Sequence, residues 1–390
     1  MRLFSMGAGA SVAAGMIFMM QVPLLHQASN FVSDLGQLDV PAATPIAWPS
    51  VGSAAVVIPS LGVERSYHNS VVSIASLTKL MTAYVTLQKL PLSVGQTGPC
   101  LNVNADDVTY FQTIKAEGQS SAAVAVGEHL CEDQLLAGML VHSAGNFATM
   151  LANLSYGGTQ NFVAEMNVQA RVLGLTGTHY VDVTGIDTGS VSTALDQGLL
   201  AARLMQSPVV RAIVDQPAVT LPVAGTLSSF TPYVGQDGVI GVKSGRTDAA
   251  GGCDVMAMTF NLAGQSQIAY AVVLGARGGD LLGPAGHEAL ALERSVIQSR
   301  TSVSWPAGTV VGSIGWDDQR VNVVTQRAVS VNAFTAFGGV GARVVVLPEN
   351  GVVEPGTVVG WLDVGTGAGS RIPVTVARRL TPLTIWQRVA

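Results

Sequence analysis

Two of the four lysines in this 390-residue chain stand beside serines, in Ser76-Leu77-Thr78-Lys79 and in Lys243-Ser244-Gly245, and Ser143-Ala144-Gly145-Asn146 lies between them. A serine hydroxyl is a poor nucleophile until a base removes its proton. Residues three apart on a helix share a face, so this spacing puts Lys79 within hydrogen-bond reach of Ser76. A lysine serves as that base only where its ammonium form is disfavoured, by burial and by a second cation, and Lys243 is the candidate cation. A helix opening at Ser76 also turns a backbone N–H outward, towards the oxyanion of a tetrahedral intermediate.

Each element has a plainer reading. Ser-x-x-Lys alone also describes a capping serine at an exposed helix start. Ser143-Ala144-Gly145-Asn146 falls in an apolar helical region, where a polar cluster is costly unless hydrogen-bonded; it is either a proton relay through Ser143 or a local kink. Lys243-Ser244-Gly245 lies on a strand edge, where an extended peptide can add as a further strand and Gly245 leaves room for close approach; otherwise it is a hairpin turn.

The elements that must position these residues follow from periodicity. Ala54 to Ile58 reads as a strand, and Leu77 to Leu90 as a helix with Leu80, Met81, Tyr84, Val85 and Leu87 on its apolar face. Helices are expected from about Glu132 to Leu154, from Gln160 to Val172 and from Thr193 to Met205. After Gly238 the period changes to that of strands, Val239 to Lys243, Cys253 to Leu262 and Gln267 to Gly275, the last two joined at Ala263-Gly264 as antiparallel neighbours. A helix from Pro284 to Gln298 packs back on them. Beyond Ser299 the chain is rich in Val and Gly, with short strands; Gly308-Thr309-Val310-Val311-Gly312 recurs as Gly356 to Gly360, too short a string to establish a repeat.

Composition bounds the function. With 48% hydrophobic and 12% charged residues the chain can bury one large core and a second small one. A net charge of -5 and the lack of a basic run exclude a nucleic-acid partner. The stretch Leu3 to Leu25 is almost uncharged, preceded by Arg2, and long enough to cross a bilayer. An uncleaved anchor is favoured over a signal peptide, because the nearest small-residue cleavage candidate, Ala42-Ala43, lies far beyond Leu25. Either reading exports the rest of the protein. Residues 27 to 50, with Pro41, Pro45 and Pro49, are expected to form an extended tether. In an exported chain Cys100 and Cys131 make the plausible disulfide, and Cys253 reads as a small buried residue. Neither the cysteines nor the six histidines have metal-ligand spacing, and no metal or other cofactor is expected.

The three elements together resemble the low-molecular-mass penicillin-binding proteins, the serine D-alanyl-D-alanine carboxypeptidases (peptidase S11-like). The likeness extends past the motifs: Ala75 to Tyr84 is similar to the nucleophile helix of that family, and Phe162 to Asp182, with Met166-Asn167, Leu173-Gly174-Leu175 and Thr178-His179, to its next block. Gly241 to Thr247, followed by Ala250-Gly251-Gly252-Cys253, is the nearest stretch. The resemblance implies an α/β (α+β) transpeptidase/β-lactamase-like domain over residues 51–298, an antiparallel sheet with a helical lobe, followed by a small all-β domain over 299–390. Residues 1–26 and 27–50 precede these as membrane segment and linker.

Carried over residue by residue, the resemblance implies Ser76 as acylated nucleophile, Lys79 as general base and Ser143 as proton relay. Lys243, Ser244 and Gly245 would bind substrate, the N–H groups of Ser76 and Arg246 would form the oxyanion hole, and Thr247 and Arg277 would grip a terminal carboxylate. The implied partners are a peptidoglycan stem peptide ending in D-Ala-D-Ala, β-lactams as covalent inhibitors, and the membrane through the N-terminal segment. Two positions depart from the pattern: Ser244 replaces a Thr and keeps its hydroxyl, and Gly145 stands where an Asn is expected, with Asn146 the candidate to supply that amide. The alternative is a catalytically impaired, membrane-tethered wall-binding or scaffold protein on the same fold. A class A β-lactamase is disfavoured by the lack of a Glu-x-x-Leu-Asn-like string, and a P-loop by the lack of a Gly-Lys dipeptide.

Overall fold

The computed structural model describes residues 29–35, 43–262, 264–316, 319–337, 342–364 and 370–382. The expected membrane segment therefore lies outside the described residues, as does Ala263. Among the described residues no helix is long and apolar enough to cross a membrane.

The strands that build the two main sheets are, in chain order, β1 (Asn30–Ser33), β2 (Ser53–Ile58), β3 (Val63–Tyr67), β4 (Val239–Thr247), β5 (Gly251–Leu262), β6 (Gln265–Ala276), β7 (Val310–Trp316), β8 (Gln319–Thr325), β9 (Ala342–Val346), β10 (Val358–Val364) and β11 (Ser370–Val376). The helices are α1 (Thr78–Lys89), α2 (Ala105–Ala116), α3 (Glu132–Val141), α4 (Gly145–Tyr156), α5 (Thr159–Val172), α6 (Ala194–Leu204), α7 (Pro208–Val214) and α8 (Leu282–Gln298).

A five-stranded antiparallel sheet ordered β4-β5-β6-β2-β3 divides the larger part of the molecule into two layers. Side chains alternate along each strand, and here both faces are buried. Cys253, Val255, Ala257, Tyr270, Val272 and Leu274 face a helical lobe containing α1 and α3 to α7. Met256, Met258, Phe260, Ala269, Ala271 and Val273 face the other way, onto Ala285, Ala289, Leu292 and Val296 of α8. Helix α1 is buried from Thr78 to Thr86 without a solvent face, because it runs through the centre of the lobe.

The single helix expected from Glu132 to Leu154 is two helices. Ser143 adopts a left-handed φ of 64°, and the N–H of Ala144 returns to the carbonyl of Gly138, closing α3 before Gly145 opens α4. The polar cluster thus occupies a turn between two helices, where the N–H groups of Ala144 and Gly145 go to the carbonyls of Gly138 and Ser120. Helices α2 and α7 were not expected from the sequence. The cap of α2 is nonetheless local: Asn104 accepts from the N–H groups of Asp106 and Asp107, and the Asp107 carboxylate accepts from the Asn104 N–H. Cys100 and Cys131 sit opposite each other on a two-stranded ribbon and form the disulfide; Cys253 is buried and free.

The C-terminal part has its own apolar core, including Trp305, Ile314, Leu362 and Val374, under a six-stranded sheet ordered β1-β7-β8-β11-β10-β9. Its first edge corrects the expectation of an unstructured tether: Asn30 to Ser33 pair with Gly315 to Gly312 of β7, and Phe31 packs beside this second core. The two copies of the Gly-Thr-Val-Val-Gly string play one structural role, since the ladders of β7 and β10 each shift register between the first Val and the closing Gly, Val310/Gly312 and Val358/Gly360.

Candidate active site

Ser76 lies in a single 3-10 turn, Ala75–Leu77, that continues directly into α1. Lys79, one turn on, is 2% exposed, and its Nζ donates to Ser76 Oγ at 2.9 Å and to the Thr184 carbonyl at 2.7 Å. Burial lowers the Lys79 pKa to about 7, against the opposing pull of the Asp182 carboxylate. Near neutral pH the amine is therefore available to take the serine proton across that 2.9 Å contact.

The loop that presents Thr184 is built around Asp182. Its Oδ2 accepts from the N–H groups of Thr184, Gly185 and Ile186 and from Thr184 Oγ1, and its Oδ1 accepts from Ser190 Oγ. Thr82 Oγ1 of α1 donates to the Val183 carbonyl and ties the loop to the helix that carries the base. Gly185 has φ of 82°, and a Cβ there would lie 1.8 Å from the Ala75 carbonyl oxygen, so glycine is required next to the nucleophile turn.

Strand β4 closes the other side. A Cβ on Gly245 would sit 2.7 Å from Ser76 N and 3.1 Å from Ser76 Cα, so the strand edge passes directly against the nucleophile's backbone. This close approach puts Ser76, Gly245 and Arg246 on one small cavity of ≈ 70 Å³, with Ser120, Ser143, Ser244, Phe230 and Leu282 completing the wall. A second opening of ≈ 370 Å³ leads from Ser76 and Lys79 past Gly145, Thr184 and Ile186 to Arg246, Thr247 and Asp248. Ser143 Oγ is buried and has no hydrogen-bond partner, which leaves it free to exchange a proton. Ser244 Oγ donates to the Phe230 carbonyl at 2.6 Å, Thr247 Oγ1 accepts from the Ala250 N–H, and Arg246 donates to the Asp280 carbonyl.

Lys243 is fully buried, and its Nζ donates to the Ser244 carbonyl at 2.7 Å. The expected influence of Lys243 on Lys79 runs the other way. Burial is what lowers Lys79, whereas Lys243 is pushed well down by burial and then by the Lys79 charge, with the Asp254 carboxylate opposing both.

Two expected substrate ligands are corrected by the geometry. Asn146 is 1% exposed, lines neither cavity, and has both ends of its amide engaged by Ala122: Oδ1 accepts from the Ala122 N–H at 3.0 Å and Nδ2 donates to the Ala122 carbonyl at 2.8 Å. It holds the 119–122 segment against α4 and does not supply the amide missing at Gly145. Arg277 is exposed, is not among the residues lining either cavity, and donates to the Asp248 carbonyl at 3.2 Å.

Sequence reasoning missed Ser120, which lines both cavities and is held there by the Gly145 N–H bond to its carbonyl. It also missed Thr184 as the second partner of Lys79. The Asp-x-Thr-Gly string, an Asp followed by donors that turn back on it, was the available local signal. Ser120 gives none, because its place depends on α4, through the Gly145 N–H bond to its own carbonyl and the Asn146 clamp on neighbouring Ala122.

Fold and site together define the penicillin-recognising serine acyl transferases, a nucleophile-lysine helix faced by a Lys-Ser-Gly strand. Solved structures of the same architecture include penicillin binding protein 5 from Haemophilus influenzae, with a TM-score of 0.60 at 18% identity over 87% of this chain and 98% of that one. The Streptomyces K15 DD-transpeptidase aligns with a TM-score of 0.55 at 23% identity, over 63% of this chain and 97% of that one. Within that class, a family model described as D-alanyl-D-alanine carboxypeptidase, peptidase S11, matches residues 63–278, and the chain belongs to this family. Among curated relatives, the D-alanyl-D-alanine endopeptidase of Escherichia coli K12 is 32% identical over 234 residues, 56% of this chain and 71% of that protein. The D-alanyl-D-alanine carboxypeptidase of Streptomyces sp. K15 is 27% identical over 251 residues, 57% of this chain and 82% of that protein.

Proposed function

We propose that the protein is a serine D-alanyl-D-alanine carboxypeptidase that trims the terminal D-Ala from peptidoglycan stem peptides through an acyl-enzyme and is inhibited by β-lactams. The observation that carries this reading is the 2.9 Å contact from buried Lys79 Nζ to Ser76 Oγ, in a family whose described activity is this one. Ser76 Oγ attacks the carbonyl of the penultimate D-Ala while its proton passes to Lys79 Nζ. The developing oxyanion lies against the turn at Ser76 and the edge of β4, where the N–H groups of Ser76 and Arg246 serve it. Collapse breaks the peptide bond, and the departing amine takes a proton by way of Ser143, whose hydroxyl is unengaged. Water then cleaves the ester, returning Ser76. A β-lactam carbonyl is attacked in the same way, its opened ring remaining on the serine. Lys243, fully buried and lining neither cavity, lends its charge to the substrate carboxylate from behind the strand edge, with Ser244 and Thr247 of the same strand on the cavity walls.

A second reading, cleavage of peptide cross-links, is favoured by one feature. The cleft continues past Thr184 and Ile186 into a groove of ≈ 430 Å³ lined by Tyr110, Thr149, Gln160 and Val163, which gives space for chain beyond a single D-Ala. Release of D-Ala from a D-Ala-D-Ala pentapeptide, against release of monomers from a cross-linked dimer, separates the two. The carboxypeptidase reading expects the first to dominate and to vanish in Ser76→Ala; a folded wild type that releases neither would refute both.

The site works outside the cytoplasm. The uncharged run from Leu3 to Leu25 supports export with retention as an N-terminal anchor, and the Cys100–Cys131 disulfide supports an oxidising compartment. Membrane fractions are expected to hold full-length protein, and a mature N-terminus after Leu25 would point to a cleaved signal instead.

A further inference from the structure

The apolar layer beneath the sheet contains two carboxyl groups that the reaction does not use. Asp254 on β5 and Glu293 on α8 are both 0% exposed; the Asp254 carboxyl has no hydrogen-bond partner among the described residues, and the Met258 N–H of β5 lies near enough to Glu293 to favour its charged form against burial. Isolated carboxylates in such a place are costly, and the usual outcome is protonation or an opposing charge. Asp254 shares its strand face with Met256 and Met258, which pack on α8, so its side chain enters the layer from which Glu293 approaches. In the β4-β5 ladder Asp254 is directly opposite Ser244, one residue from Lys243. Lys243, opposite Val255, belongs to the other face, the one turned to the helical lobe and the nucleophile. A buried lysine and a buried carboxyl thus flank the same sheet edge from opposite faces.

The coupling between them is reciprocal. Burial is the larger influence on both, holding Asp254 well above and Lys243 well below its ordinary range; against it, Asp254 is the group that favours the charge of Lys243, and Lys243 the group that favours the charge of Asp254. The other titratable groups facing this set are Lys79 on the lobe side, which opposes charge on Lys243, and Glu293 from α8, which Asp254 pushes towards its neutral form after burial has done so. Cys253, next to Asp254 in β5, is pushed up by burial and also by the Asp254 charge, and Tyr270 of β6, on the lobe face with Arg211 of α7 near it, feels the charge of Glu293.

We propose that Asp254 is a positioning residue whose buried carboxylate is the counter-charge of Lys243, keeping that lysine cationic for the substrate carboxylate while Lys79 gives up its proton to become the base. Glu293 is the neutral acid of the pair, because two adjacent buried carboxyls do not both ionise. The proton count follows: Lys243 and Asp254 together hold one proton, on Lys243, and Glu293 keeps its own. This rests on the reading of the site as a penicillin-reactive acyl transferase.

The test is the pH profile of second-order acylation by a fluorescent penicillin, a ligand that carries a carboxylate. In the wild type the alkaline limb is set by loss of the Lys243 proton. Asp254→Asn removes the counter-charge with little change of shape, and it is expected to move that limb down by at least about one pH unit and to reduce acylation near pH 8 about tenfold, one unit being a factor of ten in protonation. The loss falls on ligand affinity rather than on the acylation rate at saturation. Asp254→Glu should restore much of the limb, and Glu293→Gln, already matched by a neutral acid, should leave it in place. A folded Asp254→Asn with an unmoved profile, or a shift produced by Glu293→Gln alone, overturns the proposal. If the neutral variant does not fold, the wild type decides: an alkaline limb already falling below about pH 7 would mean that Lys243 has no effective counter-charge. Absence of any labelling in the wild type would instead refute the underlying function.

Discussion

The two walls of the cleft obey different rules. On the nucleophile wall, Ser76 and Lys79 stand where their spacing puts them, because three residues along a helix fix both distance and direction, and Thr184 completes the set. On the facing wall, Ser143, Gly145 and Asn146 are equally close in sequence, yet the chain turns at Ser143 and sends them in different directions. Ser143 lines the cleft with a free hydroxyl, Gly145 presents only backbone, and Asn146 points away to clamp Ala122. Spacing within a regular element predicts geometry, whereas spacing across a turn does not.

The largest effect that would sharpen this contrast is at Gly245, where strand and nucleophile turn meet. Gly245→Ala places a methyl 2.7 Å from Ser76 N, backbone against backbone. A displacement of about 1 Å at a reacting group costs roughly 10²-fold, so acylation by the folded protein should fall by that order, with a loss of stability of about 1–3 kcal/mol from the overpacked contact. Acylation within a few-fold of wild type would mean that β4 and the nucleophile turn are not in the contact described.

Asn146 is next. Asn146→Ala strips the partners from a buried N–H and a buried carbonyl of Ala122, and should lower stability by about 2–4 kcal/mol, with acylation by the folded fraction reduced less than about tenfold. A direct substrate ligand would give the opposite pattern, a roughly 10²-fold loss of rate at unchanged stability, and the denaturant midpoint measured beside the rate separates them. The smallest effect is expected at Arg277, whose exposed guanidinium bonds only the Asp248 carbonyl: Arg277→Ala should alter D-Ala release less than about twofold, in keeping with surface substitutions of under 0.5 kcal/mol. A far larger loss would return it to the carboxylate site.

What the sequence disclosed follows the same division. The nucleophile and its base, the strand with Lys243 and Gly245, and the paired apolar runs of β5 and β6 rest on local pattern, and the structure has them in place; the Cys100–Cys131 pair, expected from the reading of an exported chain, is formed as well. Ser120 at the cleft, the amide of Asn146 on Ala122, and Asn30–Ser33 pairing with a strand some 280 residues later depend on contacts that no local pattern encodes. Asp254 shows the limit most plainly: an acid within an apolar strand is visible in the sequence, but its relation to Lys243 exists only through strand register.

The central claim, that Lys79 in its neutral form activates Ser76, is tested most directly by the acid limb of Ser76 acylation, followed by mass spectrometry of the labelled peptide between pH 5 and pH 8. With the Lys79 pKa lowered from 10.5 to about 7, the base is protonated and inactive below that value and free above it, so acylation should rise about tenfold per unit towards pH 7 and then level. The same shift makes stability from this group rise with pH between about 7 and 10.5, where the unfolded chain binds the proton and the folded one does not. Label on Ser76, lost in Ser76→Ala and reduced roughly 10²–10⁴-fold in Lys79→Ala, with a limb near pH 7, is the predicted result. Label that persists in Ser76→Ala, or a rate flat across that range, would contradict it.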